Sequence, residues 1–197
     1  MDHPQSAVFL KLAKKYPTPE KVQKFLSSFK YNKKPTMRSA LETWKHKEAH
    51  CMEGAFLAAA ILEPLGYPPL ILSFESIDLL EHVIFIYKKK GRWGAIGCSR
   101  DQGLKGRKPV FKNIRALTLS YFEPYIDKTG KITAYQHAYL DDTKGDWRYS
   151  KRNVWTSENY LLNLPHIKLK SSKKRCQHIR KKYLEQGPMK PKSFWLY

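Results

Sequence analysis

The run Cys51-Met-Glu-Gly-Ala-Phe-Leu-Ala-Ala-Ala-Ile-Leu62 constrains this chain more than any other segment. Its residue types favour a helix, and Gly54, Ala55, Ala58 and Ala59 give that helix a face of small side chains. A helix needs such a face only where another backbone approaches closely, which places it in the middle of a fold. Pro64-Leu-Gly66 ends it. Ala55–Leu62 is also the longest uninterrupted apolar run. It falls far short of the roughly 20 residues that span a membrane.

Around this helix the pattern alternates between helical and extended. Residues 6–16 and 19–30 read as short amphipathic helices broken at Pro17 and Pro19, with Val22, Phe25, Leu26 and Phe29 on one face of the second. Tyr31–Thr36 is a polar link. Leu70–Phe74 is a short apolar run after Pro68-Pro69, His82–Tyr87 is rich in β-branched and aromatic residues, and Arg92–Ile96 returns as its hairpin partner across the turn Lys89-Lys-Gly91, so all three read as strands. Asp101–Pro109 carries Gly103, Gly106 and Pro109 and reads as a loop. Ile114–Phe122 has helical spacing, Lys131–Tyr139 reads as a strand, and a short helix is expected over 158–164. The predicted class is α+β. The expected organisation is a helical lead (1–44), a core domain (45–165) and a basic C-terminal helix and tail (166–197).

Length and charge narrow the partners. The 197 residues fit one decorated domain and suffice to bury a core without covalent staples. The net charge is +20, but residues 51–100 are neutral, while residues 1–50 carry +7 and residues 151–197 carry +10. A nucleic-acid-binding core would place its cations on central elements, so the basic parts read as flanks. Ser171 or Ser172 caps a predicted helix over Lys173–Gln186, stopped by Gly187-Pro188, with Cys176, Ile179 and Tyr183 on one stripe. Its basic face, with Lys173, Lys174, Arg175, Arg180, Lys181 and Lys182, is either solvated or a foothold for nucleic acid or another polyanion. The three cysteines, Cys51, Cys98 and Cys176, form no CxxC and no framework, which favours a reducing compartment. Ser6–Leu10 is too short for the apolar segment of a secretory signal, and lysines follow it instead of preceding it. The expected location is the cytoplasm.

Cys51 is the candidate nucleophile. At the start of a helix, unpaired N–H groups and the macrodipole favour an anion, and such positions lower a thiol pKa from about 8.5 to as little as about 3.5. The competing reading of any free cysteine is a small buried apolar side chain, and that is the reading given to Cys98. His82 opens an apolar strand, and a sheet packed on the helix would bring its imidazole to the thiol as a Cys–His pair.

Cys51-x-Glu-Gly-Ala through Gly66, followed by His82-Val, Tyr87 and Gly91-x-Trp93-Gly-Ala-Ile96, resembles the transglutaminase-like superfamily. Pro109-Val, Ile114-Arg115-x-Leu117, Ser120-Tyr121 and Tyr125 are similar to an extension found in a bacterial branch of it. The resemblance implies a papain-like, cysteine-protease-like fold with a central helix on an antiparallel sheet. It implies Cys51 as nucleophile, His82 as general base and acid, and a peptide or protein amide as substrate, with no metal or cofactor. The superfamily usually places an orienting aspartate four residues after the strand tryptophan, where this chain has Gly97. Ser99 or Asp101, just beyond, are the substitutes the sequence offers. The Cys51 backbone N–H is the implied oxyanion donor, and Trp44 is the candidate for a second.

Other arrangements compete for the same residues. His46 and His50, four apart, could hold zinc with Cys51 and either His82 or Cys98; otherwise both are polar surface residues. Glu53 and Glu81 are assigned to surface or structural roles. Tyr121 and Tyr125 line a cleft or belong to the core. Without an orienting carboxylate the fold could also serve as a non-catalytic module whose basic flanks bind a polyanion.

Overall fold

A computed structural model describes residues 6–78 and 81–197; the first five residues of the expected lead lie outside them. Two short helices come first, α1 (Ser6–Lys15) and α2 (Pro19–Leu26). Thr18 caps α2 by accepting the Lys21 N–H at 3.3 Å, and Pro19 fits its first turn, where an N–H has no helical acceptor. The helix expected to reach residue 30 stops at Leu26. Ser27 and Ser28 turn their hydroxyls back onto the Gln23 and Phe25 carbonyls (2.9 and 2.7 Å), so the chain leaves the helix. It then pairs β1 (Lys30–Tyr31) in parallel with β2 (Glu48–Ala49), an interaction between residues eighteen apart in sequence. Between them lies a helix the sequence reading did not anticipate, α3 (Ala40–His46), capped by Ser39 and closed by Lys47 at φ 53°.

The small-residue segment is α4 (Cys51–Leu62), buried from Met52 to Leu62. The predicted close approach is real: a Cβ added to Gly54 would sit 2.6 Å from the Cys98 Cβ. Four strands follow, β3 (Leu70–Ser76), β4 (His82–Lys89), β5 (Arg92–Ile96) and β6 (Arg107–Phe111). The 101–109 loop is therefore shorter than its composition suggests. Pro109 is tolerated because β6 is an edge strand. Then come α5 (Ile114–Tyr125), β7 (Ile132–Tyr139), α6 (Trp155–Leu162), β8 (Ile167–Lys168) and α7 (Lys173–Gln186).

The sheet runs β6-β5-β4-β3-β7-β8 with every pairing antiparallel. Strand alternation divides its side chains between two apolar layers. Val83, Phe85 and Tyr87 pack with α4 and with Phe9, Leu12, Val22 and Leu26 of the first two helices. Ile84 and Ile86 join Leu117, Tyr121 and Phe122 of α5 and Cys176 and Ile179 of α7. The protein is thus α+β, with a central helix on one face of an antiparallel sheet and α5 and α7 on the other. Among the described residues no helix is long and apolar enough to cross a membrane.

Candidate active site

The N-terminus of α4 is built by its neighbours in sequence. His50 is the N-cap: its Nδ1 lies 3.3 Å from the Met52 N–H, and the Glu53 carboxylate returns to accept the His50 N–H at 3.2 Å. This is a capping box with histidine in the usual serine or threonine place; its Nδ1 arm accepts only while the ring is neutral, and once protonated His50 keeps the Glu53 arm and turns Nδ1–H to Cys51. Glu53 has 0% exposure. Its carboxylate also accepts Asn32 Nδ2 (2.9 Å), Thr36 Oγ1 (2.7 Å) and the Arg38 N–H (3.0 Å), so the buried charge is fully hydrogen-bonded and pins the 32–38 segment to the helix. Glu53 is structural. Glu81 instead lines the cleft, and burial, with Glu75, Glu158 and Cys51 nearby, pushes its carboxyl up to about 7.

Cys51, the first residue of α4, is half-buried and lies between two imidazoles. Burial raises the thiol pKa, but hydrogen bonds and charge from His50 and His82 outweigh it and bring it down to about 5. His50 moves the other way. Burial disfavours its cation, yet the Cys51 thiolate, the Glu53 carboxylate and the Thr36 carbonyl, 2.6 Å from Nε2, raise it to about 9. His50 is therefore not the surface residue the sequence suggested. His46 is: it stays exposed on α3 with Nδ1 2.8 Å from its own Glu42 carbonyl. Among the described residues no three His, Cys, Asp or Glu side chains gather as a metal site.

His82 opens β4, its ring against Phe74 and Tyr121 with centroids 6.1 and 6.4 Å away. Its Nε2 lies 2.9 Å from the Leu104 carbonyl oxygen. Donation of Nε2–H to that carbonyl leaves Nδ1 as the ring nitrogen for the hydrogen bond to Cys51. Neither proposed substitute for the missing aspartate does this work. Asp101 Oδ1 accepts the Gly103 N–H (2.7 Å), and Ser99 Oγ accepts the Asp101 N–H (3.1 Å); both line the cleft but build its turn. Gly97 explains the departure. A Cβ there would lie 3.0 Å from Ile84 Cγ2 and 3.1 Å from the Leu104 oxygen itself, so that carbonyl stands where a side chain at 97 would enter.

Two clefts meet at Cys51. One, of about 710 Å³, runs past His82, Tyr125 and the end of α7; the other, of about 480 Å³, runs past Lys33, His50 and Trp155. Tyr31, Cys51 and Arg100 line both. Burial and the Cys51 charge push the Tyr31 hydroxyl up to about 12, so it stays protonated and able to donate beside the thiolate. Trp44 lines neither cleft; its indole lies under the Lys47 ammonium, 4.7 Å from the ring centroid. The Cys51 N–H, at the first helical position, has no intrahelical acceptor. Tyr125 lines the larger cleft, whereas Tyr121 is core, its hydroxyl donating to the Lys105 carbonyl at 3.0 Å. Sequence reasoning missed His50, Tyr31 and the Leu104 carbonyl. Only the adjacency His50-Cys51 was a visible signal.

The basic C-terminal helix is less free than its composition suggests. Arg175 pairs with Glu123 at 2.5 Å, Lys181 lies 3.9 Å from Glu185, and Arg180 donates to the Asp127, Thr129 and Gly130 carbonyls. Lys173 and Lys174 are exposed and Lys182 is half-buried. Tyr183 and Gln186 face the larger cleft.

Comparison with protein-family profiles and with curated proteins finds no match. Among solved structures, the chain is similar to LapG of Legionella pneumophila, with 12% identity and a TM-score of 0.42 over 74% of this chain and 87% of that one. It is also similar to a protein from Cytophaga hutchinsonii described as a candidate cysteine protease, with 15% identity and a TM-score of 0.40. That overlap covers 76% of this chain and 57% of the other.

Proposed function

We propose that this protein is a transglutaminase-like thiol enzyme that transfers or hydrolyses the acyl group of a peptide or protein amide. One observation carries the reading: a cysteine in an open cleft, flanked by two imidazoles, each with its Nε2 held by a backbone carbonyl. The thiolate attacks the amide carbonyl carbon, and the C=O electron pair moves to oxygen. On this reading the oxyanion takes its hydrogen bonds from the Cys51 N–H, which has no intrahelical acceptor, and from the protonated Tyr31 hydroxyl that lines both clefts. Collapse breaks the C–N bond while the His82 imidazolium gives its proton to the departing amine, leaving a thioester on Cys51. Water or an acceptor amine then attacks the thioester, losing its proton to His82, and the thiolate leaves. His50, with Glu53 behind it, holds the resting thiolate by charge and hydrogen bonding.

The test is the pH dependence of Cys51 alkylation by iodoacetamide, in the native protein and in His82→Ala, followed by a screen of glutamine-containing peptides for ammonia release and chain cleavage. A thiol titrating well below 8.5, with the shift reduced in the mutant, is expected together with turnover of some member of the panel. An ordinary or inert thiol that ignores His82 overturns the reading.

A second reading rests on the exposure of Lys173 and Lys174 at the start of α7. On it, the fold is a module that binds a polyanion, and affinity for random-sequence RNA or DNA falls steeply with salt. Binding that is absent, or indifferent to salt, removes it.

A further inference from the structure

Arg107, the first residue of β6, has 0% exposure, and none of its hydrogen bonds goes to a carboxylate. A guanidinium buried with no carboxylate hydrogen-bonded to it is unfavourable, and burial lowers its pKa here although the Asp101 charge acts the other way. Its donors have a common destination. Nη2 donates to the Gly103 carbonyl at 2.6 Å, and Nη1 donates to the Lys105 and Gly106 carbonyls at 2.9 and 3.2 Å. The rest go to Ser120: Nε to its hydroxyl (3.2 Å) and Nη2 to its carbonyl (3.3 Å). The plane lies over the Tyr121 ring, 3.9 Å from the centroid. Thus the carbonyls of residues 103, 105 and 106 converge on one cation, and the carbonyl between them, that of Leu104, is turned outward to His82.

We infer that Arg107 is a positioning residue for the catalytic histidine. It fixes the 103–106 turn so that the Leu104 carbonyl can do the orienting work for which this chain has no aspartate. Asp101 starts the turn, its Oδ1 accepting the Gly103 N–H (2.7 Å) and its carbonyl the Leu104 N–H (3.1 Å), and the Tyr121 hydroxyl holds Lys105 (3.0 Å). But it is Arg107 that gathers the carbonyls of 103, 105 and 106 together and so sets the direction of the one between them. A neutral carbonyl orients His82 only if it is held still, because unlike a carboxylate it adds no charge to draw the ring in. The inference rests on the reading of Cys51 and His82 as a working pair.

The experiment compares Arg107→Lys, Arg107→Gln and Tyr121→Phe with the native protein. Readouts are circular dichroism, the pH profile of Cys51 alkylation located by peptide mapping, and kcat and KM on a substrate from the panel above. With His82 misplaced, the alkylation midpoint of Arg107→Gln is expected to rise by about one pH unit, and kcat to fall about 100-fold with KM little changed. Arg107→Lys keeps charge and some donors and should recover part of both. Tyr121→Phe, which removes one hydroxyl, should move both in the same direction by about two- to threefold. A role confined to stability would lower the melting temperature and leave the pH profile of the folded protein alone. Folded Arg107 variants with a native profile and native kcat overturn the inference. If the Arg107 variants do not fold, a native profile in Tyr121→Phe overturns it equally. Failure of the underlying reading looks different: the native thiol itself would then be ordinary and indifferent to His82→Ala.

Discussion

Cys51 and Cys98 are neighbours close enough that the charge of the first raises the pKa of the second, yet their chemistry diverges. Cys98 sits just beyond β5 with 7% exposure, its sulfur 3.3 Å from the Ala49 carbonyl, and burial pushes its thiol up to about 12. Cys51 also suffers from burial, but His50 and His82 reverse the effect and bring it to about 5. Removal from water is common to both thiols; the imidazoles are not. A helix N-terminus alone stabilises an anion by about 0.3–1 kcal/mol, under one pKa unit, so the helix end on which the sequence argument leaned is the smaller contribution.

The widest separation between the two thiols should appear in turnover. Cys51→Ser is expected to lower kcat at least about 1,000-fold, and Cys98→Ser less than about threefold, measured on the same amide substrate. Equal losses would collapse the comparison into a shared packing effect. The imidazoles come next. His82→Ala is expected to lower kcat by about 100- to 10,000-fold and to raise the alkylation midpoint. His50→Ala should raise the midpoint by a comparable amount while lowering kcat only about tenfold, because it holds the thiolate but does not move the proton. A third, smaller effect belongs to Tyr31→Phe, which should lower kcat about tenfold, leave KM and the alkylation midpoint near native, and so separate stabilisation of the oxyanion from that of the thiolate.

What the sequence made legible follows the same division. The α4 helix, strand β4 and the order of Cys51 and His82 were readable because side-chain identity and period encode them. The Leu104 carbonyl was not, since backbone atoms carry no residue code. Tyr31 looked like part of a polar link because only the parallel pairing of Tyr31 with Ala49 carries it to the cleft. His50 adjoined the nucleophile and was still read as surface, because its burial depends on Glu53 and Thr36 folding over it. Trp44 failed as an oxyanion donor because α3 turns it toward Lys47. Arg107 lay hidden in a Gly- and Pro-rich stretch, where a basic residue normally signals solvent.

Two stability measurements sharpen the contrast further. Gly54→Ala drives a Cβ to 2.6 Å from that of Cys98, so the helix or β5 must shift. The expected loss is about 1–3 kcal/mol in urea unfolding, and a Gly54→Ala/Cys98→Gly double mutant, which removes the opposing Cβ, should lose less than the two singles together.

The smallest effect is the pH slope, and its sign distinguishes the thiols. Cys98 stays protonated in the fold up to about 12, while the unfolded thiol ionises near 8.5, so its contribution is intact below about pH 8.5 and declines above it. Cys51 and His50 act as a pair: folded, the thiol has released its proton by about pH 5 and His50 keeps one until about 9. Their combined contribution therefore rises between about pH 5 and 6.5, stays level to about 8.5 while the unfolded pair also holds one proton, falls slightly between about 8.5 and 9, and is level beyond that. Unfolding at pH 6, 8 and 10 should give Cys98→Ala a shallower alkaline decline than native, by at most about 1.4 kcal/mol per pH unit. In Cys51→Ser the acid-side rise should be lost instead. If Cys98→Ala shows the native alkaline slope, Cys98 ionises as freely in the fold as outside it, and the environment of Cys51 is no longer what sets the two thiols apart.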